Sequence, residues 1–99
     1  MAQRPGFMEE LNKHDPEFFE LVNTAMTKAM GAGALDQKTK ALITLGLDAA
    51  GSHPEGVKAL TARARSLGAT DGEIAEVIRL VFLSSGIPGL VTGLVAYQV

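Results

Sequence analysis

Ninety-nine residues with a formal net charge of −2 lead to the expectation of one domain and exclude the global basic field that nucleic-acid binding requires. Cysteine is absent, which removes disulfides, thiolate zinc sites and any thiol redox step carried by this chain itself. Apolar residues make up 46% but aromatics only 5%, so the core must come from Ala, Leu, Val, Ile and Met, a composition suited to packed helices.

A chain this short buries only about two thirds of its unfolded surface when alone. Its apolar content therefore points to a core shared between subunits, in a homo-oligomer. The opening MAQRPGFMEELN has no apolar signal-type stretch, and the lack of cysteine gives no oxidised framework. The expected location is cytoplasmic. Residues 1–14 read as an irregular or short helical lead-in. Asp15-Pro16 then starts a helix, with Asp15 as N-cap and Pro16 where its missing N–H costs nothing. Phe18, Leu21, Val22, Ala25, Met26 and Ala29 recur at helical spacing, and the run Gly31–Ala34 ends the helix.

Asp36 caps a second helix that reaches about Ala50. ALITLGLDAA is apolar nearly all round, which predicts enclosure by neighbours. After Gly51, Ser52-His53-Pro54-Glu55 has the spacing of a capping box. The third helix continues through Val57, Leu60, Ala64 and Leu67 and stops at Gly68. Thr70 and Glu73 repeat the capping-box spacing before a fourth helix on Ile74, Val77, Ile78, Val81 and Phe82. Gly86-Ile87-Pro88-Gly89 is a break, followed by a short apolar helix from Pro88 or Gly89 to Tyr97. No charged residue occurs from Leu80 to Val99, a run that resembles a membrane span. The break and the amphipathic pattern that begins at Ile74 favour a buried helix or a subunit interface, and no membrane partner is expected. No segment reads as a strand.

Three elements at fixed spacing carry a family resemblance: Leu-Asp-x-Lys-Thr-Lys-x-Leu-Ile from Leu35, Ala-x-x-x-Gly-Ala-Thr-x-x-Glu-Ile-x-Glu-Val from Ala64, and Gly-x-Pro at Gly86. With them, roughly two thirds of the chain resembles the carboxymuconolactone decarboxylase family, which includes the AhpD-like alkylhydroperoxidase-associated proteins. The resemblance implies an all-α, AhpD-like helical bundle of about five helices, assembled as a trimer or hexamer. It also implies two chemistries. AhpD-like members reduce disulfides or peroxides with C-x-x-C and a nearby Glu and His; decarboxylase members use acid–base groups on a small lactone acid. Carried over by spacing, the AhpD-like glutamate falls on Ala41, the two cysteines on His53 and Gly56, and the third-helix histidine on Leu60. The scaffold is kept while its reactive side chains are replaced. Automatic labels of peroxiredoxin or decarboxylase activity would thus rest on fold alone.

The residues left at these positions define a candidate site. A helix N-terminus disfavours a cation, which would leave the His53 imidazole able to accept a proton. Gly56, one turn on, would leave room for a ligand, and Leu60 would form an apolar floor. His53 could equally be a solvent-exposed first-turn residue. Asp48 interrupts an apolar helix and must be paired or protonated; it reads either as a catalytic acid or as the partner of a Lys or Arg across a subunit boundary. Glu55 reads as the cap partner, and Asp15 as a cap beside His14. Lys38 and Lys40 lie against the helix dipole, and either could hold an anionic ligand. Two distant histidines make no metal signature, so neither a metal nor a cofactor is expected.

Two functions stay open. One is a cofactor-independent acid–base enzyme or binder for a small organic acid or lactone, with His53 and Asp48 as its reactive groups and Gly56, Leu60 and Lys40 around the ligand. The other is a non-catalytic oligomeric scaffold or partner-binding module. They differ in whether His53 faces a cavity or open solvent.

Overall fold

The computed structural model describes residues 6–99. Expectations for the first five residues of the lead-in lie outside the described residues. Five helices follow in order: α1 (Gly6–His14), α2 (Pro16–Met30), α3 (Gln37–Ala50), α4 (Pro54–Ser66) and α5 (Asp71–Gly93), with a 3-10 turn over Leu94–Gln98. The fold is all-α, and there is no strand among the described residues. The chain forms two compact units, one ending at Gly31 and one spanning Ala32–Val99.

In the first unit the described part of the lead-in is helical, and α2 starts as its sequence requires. The Asp15 carboxylate accepts from the Phe18 N–H at 3.1 Å, and Pro16 opens the helix. The apolar stripe expected on α2 is only partly covered, with Val22 and Met26 half-buried. Phe18 and Leu21 are exposed, and the buried side chains are Phe19 and, on α1, Met8. Apolar residues flank α2 on more than one side, and periodicity alone does not say which side a neighbour covers.

The second unit is built around α3, which packs on both α4 and α5. Asp36 caps it, its carboxylate accepting from the Thr39 N–H at 2.7 Å. Ala41, Leu45 and Ala49 recur every fourth residue and are buried; Val57, Thr61 and Ala64 from α4 and Ile74, Ile78 and Val81 from α5 complete the core. The enclosure expected for α3 is not reached within one chain, because Ile43 and Leu47 on its other side are 46% and 64% exposed. Two helices cover two sides of a third and leave the rest to solvent.

At the start of α5 both halves of the expected capping box form: the Glu73 N–H donates to Thr70 Oγ1 at 3.1 Å, and the Thr70 N–H donates to Glu73 Oε1 at 2.9 Å. Lys38 Nζ lies 3.0 Å from the other Glu73 oxygen and ties α3 to α5. The Thr70 backbone bond first, then Lys38, hold the Glu73 carboxyl below its ordinary range. A group depressed in the folded state contributes stability that is complete above its unfolded value and disappears as pH falls through the folded one. We therefore expect Glu73→Gln to melt below wild type at neutral pH. The gap should close on acidification below the ordinary glutamate range of about 4.3. Thermal melts from neutral pH to pH 3 check this; a gap independent of pH would mean that charge plays no part.

The expected break is present inside α5, where Gly86 adopts φ 66° and ψ −153°, a conformation essentially confined to glycine. The second arm returns along the first. A Cβ on Gly89 would lie 2.9 Å from Val81 Cγ1, and one on Gly93 2.9 Å from Ile78 Cδ1. Missing side chains one turn apart therefore let the arms close on each other. Phe82, expected on the buried stripe, is 47% exposed and sits at the groove this leaves. By length and composition Asp71–Gln98 could cross a membrane. The Gly86 reversal divides it, and the first arm of about 22 Å is shorter than a bilayer's hydrocarbon core of about 30 Å.

Candidate functional site

The corner between α3 and α4 is a Schellman turn. The His53 N–H donates to the Asp48 carbonyl at 2.9 Å, the Ser52 N–H donates to the Ala49 carbonyl at 3.2 Å, and Ser52 takes φ 62°. The end of α4 is built identically. There the Ala69 N–H donates to the Ala64 carbonyl at 2.9 Å across Gly68 at φ 96°. This turn sets the residue after the left-handed one over the residue five positions earlier. At the α4 end the two facing residues are buried alanines, Ala64 and Ala69. At the α3 end they are Asp48 and His53, and His53 Nδ1 lies 3.3 Å from Asp48 Oδ1. Backbone geometry thus forms the pair.

The capping box expected from Ser52 and Glu55 does not form. His53 occupies the N-cap of α4 without a side-chain cap bond, and the exposed Glu55 carboxylate lies 3.6 Å from Lys58 Nζ. The reversal needs a left-handed residue, and Ser52 supplies it, which removes it from the capping position. A side chain there costs about 1 kcal/mol relative to glycine. Ser52→Gly should therefore stabilise the protein by about that amount in urea melts; a loss of stability would show that the hydroxyl matters more than the backbone.

Asp48 is partnered by His53 and by no Lys or Arg among the described residues. Its carboxylate also fills the space over Gly56, where a Cβ would come within 2.6 Å of Asp48 Cγ. The room expected for a ligand at Gly56 is thus taken by the protein's own carboxylate. Leu60 is half-buried and packs against the core. Lys40 sits two turns and more before Asp48 on α3, about 12 Å along the axis, so the fold does not bring it to the corner. Lys38 is held by Glu73. Ala41 is buried in the core. His14 pairs with Glu10 within α1, at 3.0 Å. No cluster of three metal-ligating side chains occurs among the described residues.

The arrangement can move a proton. A carboxylate on Nδ1 favours the tautomer with hydrogen there and leaves Nε2 as the acceptor. The His53 side chain is 66% exposed and that of Asp48 31%, so in a single chain the imidazole opens to solvent. Two apolar grooves lie elsewhere in the Ala32–Val99 unit. One, of about 320 Å³, runs between α3 and α5 along Leu42, Ile43, Leu47, Val77 and Leu80. The other, of about 370 Å³, lies between the arms of α5 and includes Arg79 and Tyr97. Neither touches His53. Sequence reasoning missed the second groove; its signal was the glycine at 86 followed by Gly89 and Gly93.

Comparison with known proteins agrees with this architecture. The carboxymuconolactone decarboxylase family profile matches residues 16–97, from the first turn of α2 into the 3-10 turn. An uncharacterized protein of Methanocaldococcus jannaschii is 31% identical over 81 residues, covering 82% of this chain and 76% of its own length. A second from the same organism is 29% identical, covering 82% and 79%. The crystal structure of an apo carboxymuconolactone decarboxylase family protein from Legionella pneumophila superposes with a TM-score of 0.83 at 27% identity, over 92% of this chain and 81% of that one. With a profile match over most of its length and the same helical architecture, this chain belongs to the carboxymuconolactone decarboxylase family.

Proposed function

We propose that this chain is a cofactor-independent acid–base member of its family, acting on a small organic acid or lactone in the manner of a decarboxylase-like lyase. The observation that carries the reading is the His53–Asp48 pair, set at 3.3 Å by a backbone turn where the family's redox branch would place its first cysteine. His53 is the base: Nε2 takes a proton from the substrate and returns it to the product. Asp48 holds the ring's orientation and stabilises the imidazolium formed on the way. Gly56 is the positioning residue that admits the carboxylate. Thiol peroxidase chemistry has no residue to run on in this chain. We further propose a cytoplasmic homo-oligomer, a trimer or hexamer, in which a neighbouring copy closes the corner. Exposed Ile43 and Leu47 on α3, and Leu80 and Leu83 on α5, support the oligomer.

The test is a thermal-shift and turnover screen of wild type, His53→Ala and Asp48→Asn against small carboxylic acids and lactones. At least one compound that raises the melting temperature of wild type should fail to do so for His53→Ala. Turnover should fall by about 10²–10⁴ in that variant, while its stability stays within about 0.5 kcal/mol. A non-catalytic oligomeric scaffold is the second reading, favoured by the openness of His53 in the single chain. Equal responses of wild type and His53→Ala to every compound would establish it in place of the first.

A further inference from the structure

The groove between the arms of α5 has the make-up of a small-molecule site, an apolar lining with a few polar groups. Its lining is apolar, with Ile78 and Phe82 from the first arm and Leu90 and Leu94 from beyond the reversal. Its charged member is Arg79, and Tyr97 adds a phenol. Arg79 makes no hydrogen bond or ion pair among the described residues. The other described arginines are both engaged: Arg65 lies 2.6 Å from Asp71, and Arg63 donates to Gln37 at 3.4 Å. A guanidinium is a fork of donors suited to a carboxylate, and a bidentate pair is among the stronger polar contacts a protein makes. The volume, about 370 Å³, lies within the range of small-molecule sites.

We propose that this groove binds a small apolar monocarboxylate, its hydrocarbon part on Phe82, Leu90 and Leu94 and its carboxylate on Arg79 and Tyr97. The charge pattern favours this occupant over a second copy of the chain. Burying Arg79 under an apolar surface would strand a cation away from water. The apolar arm that a second copy would offer has no charged side chain from Leu80 to Val99. A carboxylate of matching size satisfies both halves of the site together. The site is independent of the His53–Asp48 pair.

The chain carries its own reporter, since Tyr97 is its single tyrosine and tryptophan is absent. Hexanoate, which does not absorb where tyrosine does, is titrated into the full chain while Tyr97 emission is followed; ligand-observed NMR gives a second reading of binding. The expected result is a saturable change in emission. Affinity should fall at least tenfold for 1-hexanol, which keeps the tail and loses the charge. The same loss is expected for hexanoate with Arg79→Gln, with partial recovery in Arg79→Lys. Arg79 is exposed and unpaired, so these variants should fold like wild type, which circular dichroism checks. His53→Ala should bind hexanoate as wild type does, so failure of the acid–base reading leaves this result standing. Equal affinity for hexanoate and 1-hexanol, or hexanoate binding unchanged by Arg79→Gln, overturns the proposal. So does Tyr97 emission that follows protein concentration and ignores hexanoate, which would give the groove to a second copy.

Discussion

Replacing Gly86 by alanine is expected to destabilise the protein by about 2–3 kcal/mol. The cost is conformational. Beyond the local backbone and chain neighbours, no atom lies within 4 Å of where the new Cβ would stand, so there is no packing clash to relieve. At φ 66° and ψ −153°, however, an L-residue occupies a region that only glycine enters freely. The chain must either hold that strain or straighten α5. Straightening is worse, because Ile78 and Val81 would lose the arm that returns over Gly89 and Gly93. Urea denaturation followed by circular dichroism measures the effect. Gly72→Ala is the internal control. Gly72 lies in the first turn of the same helix, and its nearest neighbour, Thr70 Oγ1, is 3.8 Å from a built Cβ. Alanine there should add up to about 1 kcal/mol through helix propensity and a less flexible unfolded chain. If both variants shifted stability in the same direction, the reversal at Gly86 would not be what holds the second arm in place.

The second large effect is expected at Gly56, on activity rather than on stability. Alanine in the first turn of α4 gains as much as about 1 kcal/mol over glycine in helix propensity. Against this, its Cβ would lie 2.6 Å from Asp48 Cγ and 3.3 Å from Asp48 Cβ. The obstacle is a side chain and not the backbone, so the carboxylate can rotate away at modest cost. The two terms nearly cancel in stability. They do not cancel in function, since a displaced carboxylate can no longer hold His53 Nδ1. Gly56→Ala should therefore lose turnover by about 10²-fold, matching Asp48→Asn, with the double variant no worse than either. Histidine NMR supplies the readout that a merely structural role would leave unmoved: the His53 Nδ1 signal should shift in Gly56→Ala as it does in Asp48→Asn. Full activity in Gly56→Ala would detach Asp48 from the mechanism.

Much of the local structure follows from sequence because a cap is a contact between neighbours. Asp15 with Phe18, Asp36 with Thr39, and Thr70 with Glu73 each join residues three apart, and all three form. Gly86 and Pro88 mark the break in α5 for a similar reason: backbone restrictions belong to the residue itself. Ser52 shows where local reasoning stops. Its spacing to Glu55 is that of a capping box, yet the approach of α4 to α3 demands a left-handed residue there, and the cap yields to the turn. The replacement of the redox cysteines by His53 and Gly56 is legible from spacing alone. That Asp48 would be the partner of His53 is not, since five residues separate them and only the turn brings them face to face. Nor could the sequence tell whether the open space at Gly56 would serve a ligand or the protein's own carboxylate. The groove at Arg79 and Tyr97 was hidden for the same reason, because it exists only once the second arm folds back. Short-range hydrogen bonding and backbone sterics lie in the chain order. The pairings that create a site depend on packing between helices, which side chains one chain buries and which it leaves exposed.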